Sequence, residues 1–409
     1  MPIQGLRHTD NFATNERPQN WREAILRLEP NGMAPLTALT SMMKSESTDD
    51  PIYNWWQKNT QERRVALSAG VTAAQQNLAV VSGALGFKRG DLLMAEATQE
   101  IVVVVQDPTI DTALMVTRGF AGSTSASTSA TQAGDNPNFR CIGSAYEEGS
   151  EAPTGVGFDP VQYYNYTQIF RNTLEMTRTA AKTRLRTGDQ VKEAKRECLE
   201  LHSIDMEMAF WFGKRAATTF GGKPWRTTNG IYQSILLSAS QNIITAATAG
   251  ITMTLLEGYL KDIFKYGSSQ KMCFTGNSGI LVLNQVIRRN SQYNIEFGAK
   301  EYGMRIARLT CPFGEVVFKT HPLFNQMSGG TTAGTAYTGL DTWMFFLDMK
   351  NVLYRYLDDS DTKYQKDLQS NGLDGMKSGY LSECGLEVQK ALTHYVIKSF
   401  ALAATTVDN

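Results

Sequence analysis

The chain has no run of about twenty apolar residues, the length a helix needs to cross a bilayer. Its opening residues place Arg7, His8 and Asp10 where a secretion signal would carry its apolar segment. The expectation is a protein made in the cytosol and soluble there, with no membrane partner. It also lacks net charge. Forty Lys and Arg against forty Asp and Glu give zero at pH 7, so no global field draws the chain to nucleic acid or anionic lipid. Any DNA contact is expected to be local, weak and non-specific. Cysteine pairs are missing as well: Cys141, Cys198, Cys273, Cys311 and Cys384 are odd in number, far apart and form no CxxC, which speaks against a disulfide scaffold and a zinc ribbon. Histidine is scarce. His8, His202, His321 and His394 have no carboxylate or cysteine at metal-ligand spacing, and no HExxH occurs.

The motifs that carry chemistry are incomplete wherever they begin. Gly222-Lys223 is followed by Pro224, which supplies neither the hydroxyl for magnesium nor the backbone N–H of a phosphate loop. Gly276-Asn277-Ser278-Gly279 stands between a strand and a helix, but its second glycine is one position early for a nucleophile elbow. Arg89-Gly90-Asp91 stands where the chain turns into Leu92 and Leu93, and a tight turn accounts for it. Glu147, Glu148 and Glu151 neighbour Gly149 and Ser150 and read as a solvated acidic loop rather than a catalytic pair. His202 beside Asp205, together with His321, leaves open an enzyme whose site is assembled from distant residues. No catalytic residue, cofactor or metal is expected.

What is present is a large apolar content, 42% of residues with 20% charged, enough for at least one sizeable core and roughly two or three domains. Pro2, Pro18, Pro30, Pro35 and Pro51 break the first sixty residues into an arm. Within it Trp21, Ile25 and Leu28 form one short helical stripe that must dock on something. Tyr53, Trp55 and Trp56 follow, and the adjacent tryptophans must face different surroundings. From about Leu67 to Ile142 short β-branched runs, Leu92 to Ala95, Ile101 to Val105 and Ala113 to Thr117, predict a small antiparallel module. Its tip, Ala121 to Gly134, is almost only Ser, Thr, Ala and Gly, and Gly149 to Gly157 reads as a linker.

Asp189 is placed to cap a long helix that runs to Phe212 before Gly213. Its apolar face reads Val191, Ala194, Cys198, Leu201, Ile204, Met208 and Trp211, with Leu201, Ile204 and Met208 as its core contacts. Leu255 to Tyr266 and Ile280 to Arg288 have helical periodicity. Lys271 to Phe274, Val316 to Lys319, Trp343 to Met349 and Val352 to Leu357 read as buried strands. After a flexible stretch at Ser328 to Gly339, Leu386, Val388, His394, Val396 and Phe400 suggest closing strands. Helices and strands interleave, so the class is α+β or α/β.

The order of these parts resembles the major capsid proteins of tailed bacteriophages with the Hong Kong 97 fold. The likeness is carried further by Arg17-Pro18-Gln19-Asn20-Trp21-Arg22 and Pro35-Leu36-Thr37-Ala38-Leu39 in the arm, Val116-Thr117-Arg118-Gly119-Phe120 in the β module, and Asn165-Tyr166-Thr167-Gln168-Ile169-Phe170 before the long helix. The resemblance implies an α+β fold in five parts. These are an N-terminal arm at 1–66, an extended β-rich loop at 67–148, a peripheral domain at 149–225 with its spine helix at 189–212, an axial domain at 226–340, and strands at 341–409 returning to the peripheral domain. It implies self-assembly through hexamers and pentamers into an icosahedral head, around packaged DNA, in company with a portal protein and with scaffolding or decoration proteins. Trp21, Ile25, Leu28, Trp55 and Trp56 are the expected assembly contacts. The chain starts directly with the arm, so scaffolding would come from a separate protein or not at all. A tail or decoration component of a virion is the alternative structural reading.

Overall fold

The computed structural model describes residues 44–59, 62–68, 70–72, 74–123, 138–183, 189–246, 250–289, 295–301, 304–326 and 339–400. Trp21, Ile25 and Leu28, both arm segments of the resemblance, most of the 121–134 tip and nearly all of the 328–339 stretch lie outside the described residues. Two compact units form: Trp56–Val161, and Met1–Trp55 together with Gln162–Asn409.

The smaller unit is an antiparallel sheet of six strands in the order Arg64–Ala66, Asn138–Ser144, Asp91–Ala95, Ile101–Val104, Ala113–Thr117, Asn77–Ala79. A bridge between Leu67 and Val80 joins the first strand's end to the last. Two further bonds, Ser68 N–H to Ala79 O and Val81 N–H to Ala66 O, both 2.9 Å, close the sheet into a barrel without free edges. Alternation does the rest. Leu93 and Ala95, Val102 and Val104, Leu114 and Val116 each stand two apart and all point inward with Val65, Leu78 and Phe139. The three-residue strand Arg64–Ala66 falls in the stretch expected to be arm, because so short a run carries no periodic signal. Residues 149–157 have no regular secondary structure.

The larger unit contains two sheets. One has five strands, with Ser45–Thr48, Val352–Leu357, Gly375–Val388 and Gln168–Thr177 in order and Lys363–Gln365 added on Gly375–Val388. The long helix Gln190–Phe212 lies on it, against Gln168–Thr177 and Gly375–Val388. Asp189 caps this helix by accepting the N–H groups of Val191 and Lys192 at 3.0 and 3.4 Å, and Gly213 ends it. Its buried face differs from the expected one. Cys198, His202, Met206 and Phe210, four apart, face the sheet, joined by Glu207 and Trp211. Leu201 is 58% exposed, and Ile204 and Met208 are only half-buried. The stripe is turned because His202 and Glu207, polar residues that a hydrophobic pattern assigns to solvent, find partners on other elements.

The second sheet has seven strands, in the order Ile243–Thr245, Tyr395–Lys398, Met344–Leu347, Gln270–Thr275, Gly314–Thr320, Met304–Cys311, Ile295–Glu301. Helices cover both faces, so its central strands are apolar without alternation. Cys273, Phe346 and Ile397 face the helices Met253–Ile263 and Asn277–Arg289. Their neighbours Phe274, Phe345 and Val396 face Trp211 and the helix Ile231–Ser238. Met344–Leu347 and Tyr395–Lys398 therefore belong here and not with the strands that return to the first sheet. A run such as Met-Phe-Phe-Leu announces burial on two faces but carries no record of its partner.

Candidate functional site

The residues considered for catalysis serve the fold. His202 is fully buried, its Nδ1 2.9 Å from Asn172 Oδ1 and its Nε2 2.8 Å from Ser382 Oγ. Burial lowers its pKa, against the pull of Asp205. Asp205 itself is exposed and accepts the Asn172 amide at 2.9 Å. His321 faces a different partner. Its Nε2 stands 2.8 Å from Glu207 Oε1 and 3.0 Å from the Trp211 indole nitrogen, in a fully buried cluster. The indole N–H also reaches Glu207 Oε1, at 3.3 Å. His202, Asp205 and His321 thus form two separate networks rather than one site.

His394 is also buried, its Nδ1 accepting the Asp348 N–H and its Nε2 donating to Gln389 O, both at 3.2 Å. Beside it the buried Lys271 ammonium donates to Ile263 O, Tyr266 O and Thr393 O at 2.6, 2.8 and 2.6 Å, tying a helix end to the 391–393 turn. Burial pushes Lys271 down to about 8, with Asp348 opposing. Burial first, and then the Lys271 charge, push His394 down to about 4, with Asp348 and the Gln389 carbonyl opposing. Because the folded value lies below the ordinary one, the contribution of His394 is complete above pH 6.5 and is lost as pH falls through about 4. Urea unfolding at pH 7 and pH 4 should show wild type losing roughly 3 kcal/mol more than His394→Gln over that interval. Equal losses in the two proteins would refute the burial argument.

The remaining motifs are turns. Asp91 is buried, accepts the Lys88 N–H at 2.9 Å and pairs with Arg63, so Arg89-Gly90-Asp91 offers no free carboxylate. Ser278 Oγ donates to Asp341 Oδ2 at 2.6 Å in the turn between Gln270–Thr275 and Asn277–Arg289. No group of three or more His, Cys, Asp and Glu among the described residues is placed to hold a metal ion. The cysteines are free; burial pushes Cys384 up to about 12 and Cys273 well above its ordinary value, which keeps both thiols unreactive. Among the described residues, no helix is long and apolar enough to cross a membrane.

Several large apolar side chains are exposed. Tyr53, Trp55 and Tyr163 stack in a row with centroids 6.2 Å apart, whereas the adjacent Trp56 is 63% exposed. A hairpin that the sequence pattern did not suggest, Ala216–Phe220 with Lys223–Thr227, follows the long helix. Its turn is Gly221-Gly222, both at positive φ (57° and 75°), the backbone of a two-residue primed turn. The pair of glycines was the available signal, obscured by weighing Gly222-Lys223 only as a phosphate loop. At its tip Phe220 is 74% and Trp225 58% exposed, the rings meeting edge to face at 5.5 Å.

The two described segments that carry the resemblance hold the structure together. Asn165, buried, donates to Thr228 Oγ1, Asn229 O and Leu386 O while its Oδ1 accepts the N–H groups of Asn229 and Tyr166, both at 2.8 Å. Tyr53 also donates to Leu386 O, at 2.9 Å. Gly385 is pressed into this knot, where a Cβ would lie 2.5 Å from the Tyr53 hydroxyl and 2.8 Å from Tyr166 O. Gln168 accepts the Thr228 N–H, and Phe170 packs on Phe210. In the barrel Arg118 pairs with Glu100, and Gly119 adopts a φ of 64°.

The major capsid protein of Pseudomonas phage PaMx41 is 27% identical over 376 residues, covering 88% of this chain and 85% of that one. Among solved structures, the capsid of an empty GTA particle aligns over 95% of each chain at 9% identity, with a TM-score of 0.45. Microbacterium phage Oxtober96 aligns over 93% of this chain and 95% of that chain at 11% identity, with a TM-score of 0.43. Residues 7–401 match the family described as SU10 major capsid protein. The chain belongs to that family and is a phage major capsid protein, a subunit of the shell.

Proposed function

We propose that this subunit closes an icosahedral head of the Hong Kong 97 type around double-stranded DNA, through hexamers and pentamers assembled in the host cytoplasm. In this reading the five-stranded sheet with the helix Gln190–Phe212 is the peripheral domain, the seven-stranded sheet the axial domain, and the barrel the extended loop. The observation that carries it is the exposure of Trp56, Leu201, Phe220 and Trp225 in a chain of a shell-forming family. Heterologous contacts of this kind build rings and join them. Each can be weak, since a subunit with several neighbours gains from all of them and misplaced copies still dissociate during growth.

Portal, scaffolding and decoration proteins are the further partners of such a shell, and the absence of net charge suits a wall past which DNA must slide. The arm residues Trp21, Ile25 and Leu28, with Trp55 and Trp56, are proposed to lie over neighbouring subunits. The test is negative-stain electron microscopy and sedimentation of the protein expressed alone and with scaffold genes from its own genome. Closed shells, rings or tubes are expected; a strictly monomeric particle in every condition would overturn the reading. Removing residues 1–30 should abolish closed shells and leave a folded monomer, and normal shells from that truncation would refute the role of the arm.

A further inference from the structure

The hairpin that follows the long helix is an exposed surface of unusual charge. From residue 208 to residue 256 the chain has no Asp or Glu, while Lys214, Arg215, Lys223 and Arg226 all fall in or beside the hairpin. Arg215 is spoken for: it lies 3.8 Å over the Tyr164 ring and donates to Tyr164 O. Lys214, Lys223 and Arg226 have no carboxylate partner among the described residues. Pairing across the hairpin sets Phe220 opposite Lys223 and Thr218 opposite Trp225, so both aromatic rings and Lys223 share one face. Two strands alone are marginal in water, and every residue of Ala216–Phe220 is exposed. This face needs a cover.

The same chain carries its electrostatic complement. From residue 141 to residue 170 there is no Lys or Arg, and the acids are Glu147, Glu148, Glu151 and Asp159. Glu147 is engaged by Arg89 at 2.5 Å. Glu148, Glu151 and Asp159 are exposed and have no salt bridge among the described residues. This strap is fixed to the barrel, with Thr154 Oγ1 donating to Asp107 at 2.9 Å. Its Gly157 and Phe158 wall a cleft of about 250 Å³ lined also by Leu85, Gly86 and Phe87, with Glu62, Arg63, Arg64 and Asp111 at its polar side. That is smaller than the roughly 300–1,000 Å³ of small-ligand sites, a size for side chains rather than for a cofactor.

We propose that the hairpin of one subunit docks on the strap of a neighbouring copy, its aromatic tip entering the cleft between Leu85 and Phe158 while Lys223, on the aromatic face, meets the acidic run Glu148, Glu151 and Asp159. The proposal rests on the shell-subunit reading, which brings a second copy within reach. Nucleic acid is the competing occupant, since basic hairpins with aromatics also bind single strands. The second copy is favoured because the two rings pack edge to face on each other instead of offering an open stacking face. It is favoured also because the two surfaces oppose in sign, the hairpin and its flank carrying only basic side chains and the strap only acidic ones.

The experiment uses the full-length chain and follows assembly by light scattering, sedimentation and electron microscopy. Lys223→Glu, and separately Glu148→Lys with Glu151→Lys and Asp159→Lys, should each lower the yield of assembled particles about tenfold while leaving the melting temperature of the monomer unchanged. A chain carrying all four reversals should recover assembly, and an equimolar mixture of the two reversed chains should associate although neither does alone. Trp225→Ala should fold normally and assemble poorly. Reversed chains that assemble like wild type would overturn the docking. So would rescue on one chain without rescue in the mixture, which would mean an intramolecular contact. Normal assembly with loss of DNA retention in a gel shift would assign the hairpin to nucleic acid and likewise overturn it. A wild-type chain that never assembles would instead remove the shell reading itself.

Discussion

Trp211→Ala should lower the stability of the larger unit by about 3–5 kcal/mol, the cost of emptying a buried tryptophan site that cannot collapse. Trp211 is wholly buried in the last turn of the long helix, with Phe345, Phe324, Phe274 and His321 at centroid distances of 4.9, 5.2, 5.3 and 5.5 Å. Its core joins the two sheets, since Phe345 and Phe274 come from the seven-stranded one and Tyr354 and Leu386 from the other. Removing the indole also takes a donor from the Glu207–His321 pair, adding a hydrogen-bond loss to the cavity. Trp211→Phe keeps most ring contacts and should cost less than alanine. Leu201→Asp, on the exposed side of the same helix, should change the unfolding midpoint little. Urea denaturation of the three variants orders them; a Leu201→Asp protein as unstable as Trp211→Ala would contradict the orientation of the helix.

That orientation marks the limit of what hydrophobic periodicity can read. The helix ends were legible because Asp189 caps its own helix locally, and Gly213 is the residue where the chain closes on Thr228 and Gly230, a close approach only glycine allows. The strands Ala113–Thr117 and Val352–Leu357 were legible as short β-branched or aromatic runs between turns. The face of the helix was not, because His202 is buried by Asn172 and Ser382 and Glu207 by His321, residues 30, 180 and 114 positions away. The ten-residue strand Gln168–Thr177 was also missed. Only Phe170 and Leu174 are buried in it, and its other side chains look like those of a loop. Among the expected assembly residues, Trp56 is exposed and Trp55 is largely held in its aromatic row, which accords with the adjacent tryptophans facing different surroundings. The hairpin tip, a more exposed aromatic pair, was hidden behind a failed match to a phosphate loop. The family-like segments were recognisable without being explained: the five bonds of Asn165 join residues up to 221 positions apart, and no local pattern encodes that.

Arg118→Met should destabilise the barrel by about 3–5 kcal/mol, because it strands a buried carboxylate. The guanidinium meets Glu100 through two bonds, Nε to Oε1 at 2.8 Å and Nη2 to Oε2 at 2.5 Å, with the two side chains 4% and 1% exposed. Glu100 also accepts the Gly119 N–H at 3.2 Å, and Arg118 reaches Thr72 O at 2.7 Å, so the pair fastens the turn after Ala113–Thr117 to two other loops. A bidentate pair in low dielectric is worth little against a well-packed apolar replacement, but either half alone is costly. The sign of the coupling therefore separates a paired charge from two independent polar residues. Glu100→Gln added to Arg118→Met should recover a large part of the loss, since the amide needs no counter-charge. In a double-mutant cycle read by urea unfolding, the coupling should be about 1–3 kcal/mol. Additive single and double variants would show that Glu100 does not depend on Arg118. A large coupling would explain why Val116-Thr117-Arg118-Gly119-Phe120 reads as a family segment although it carries no chemistry: its arginine neutralises a charge that the closed barrel has removed from water.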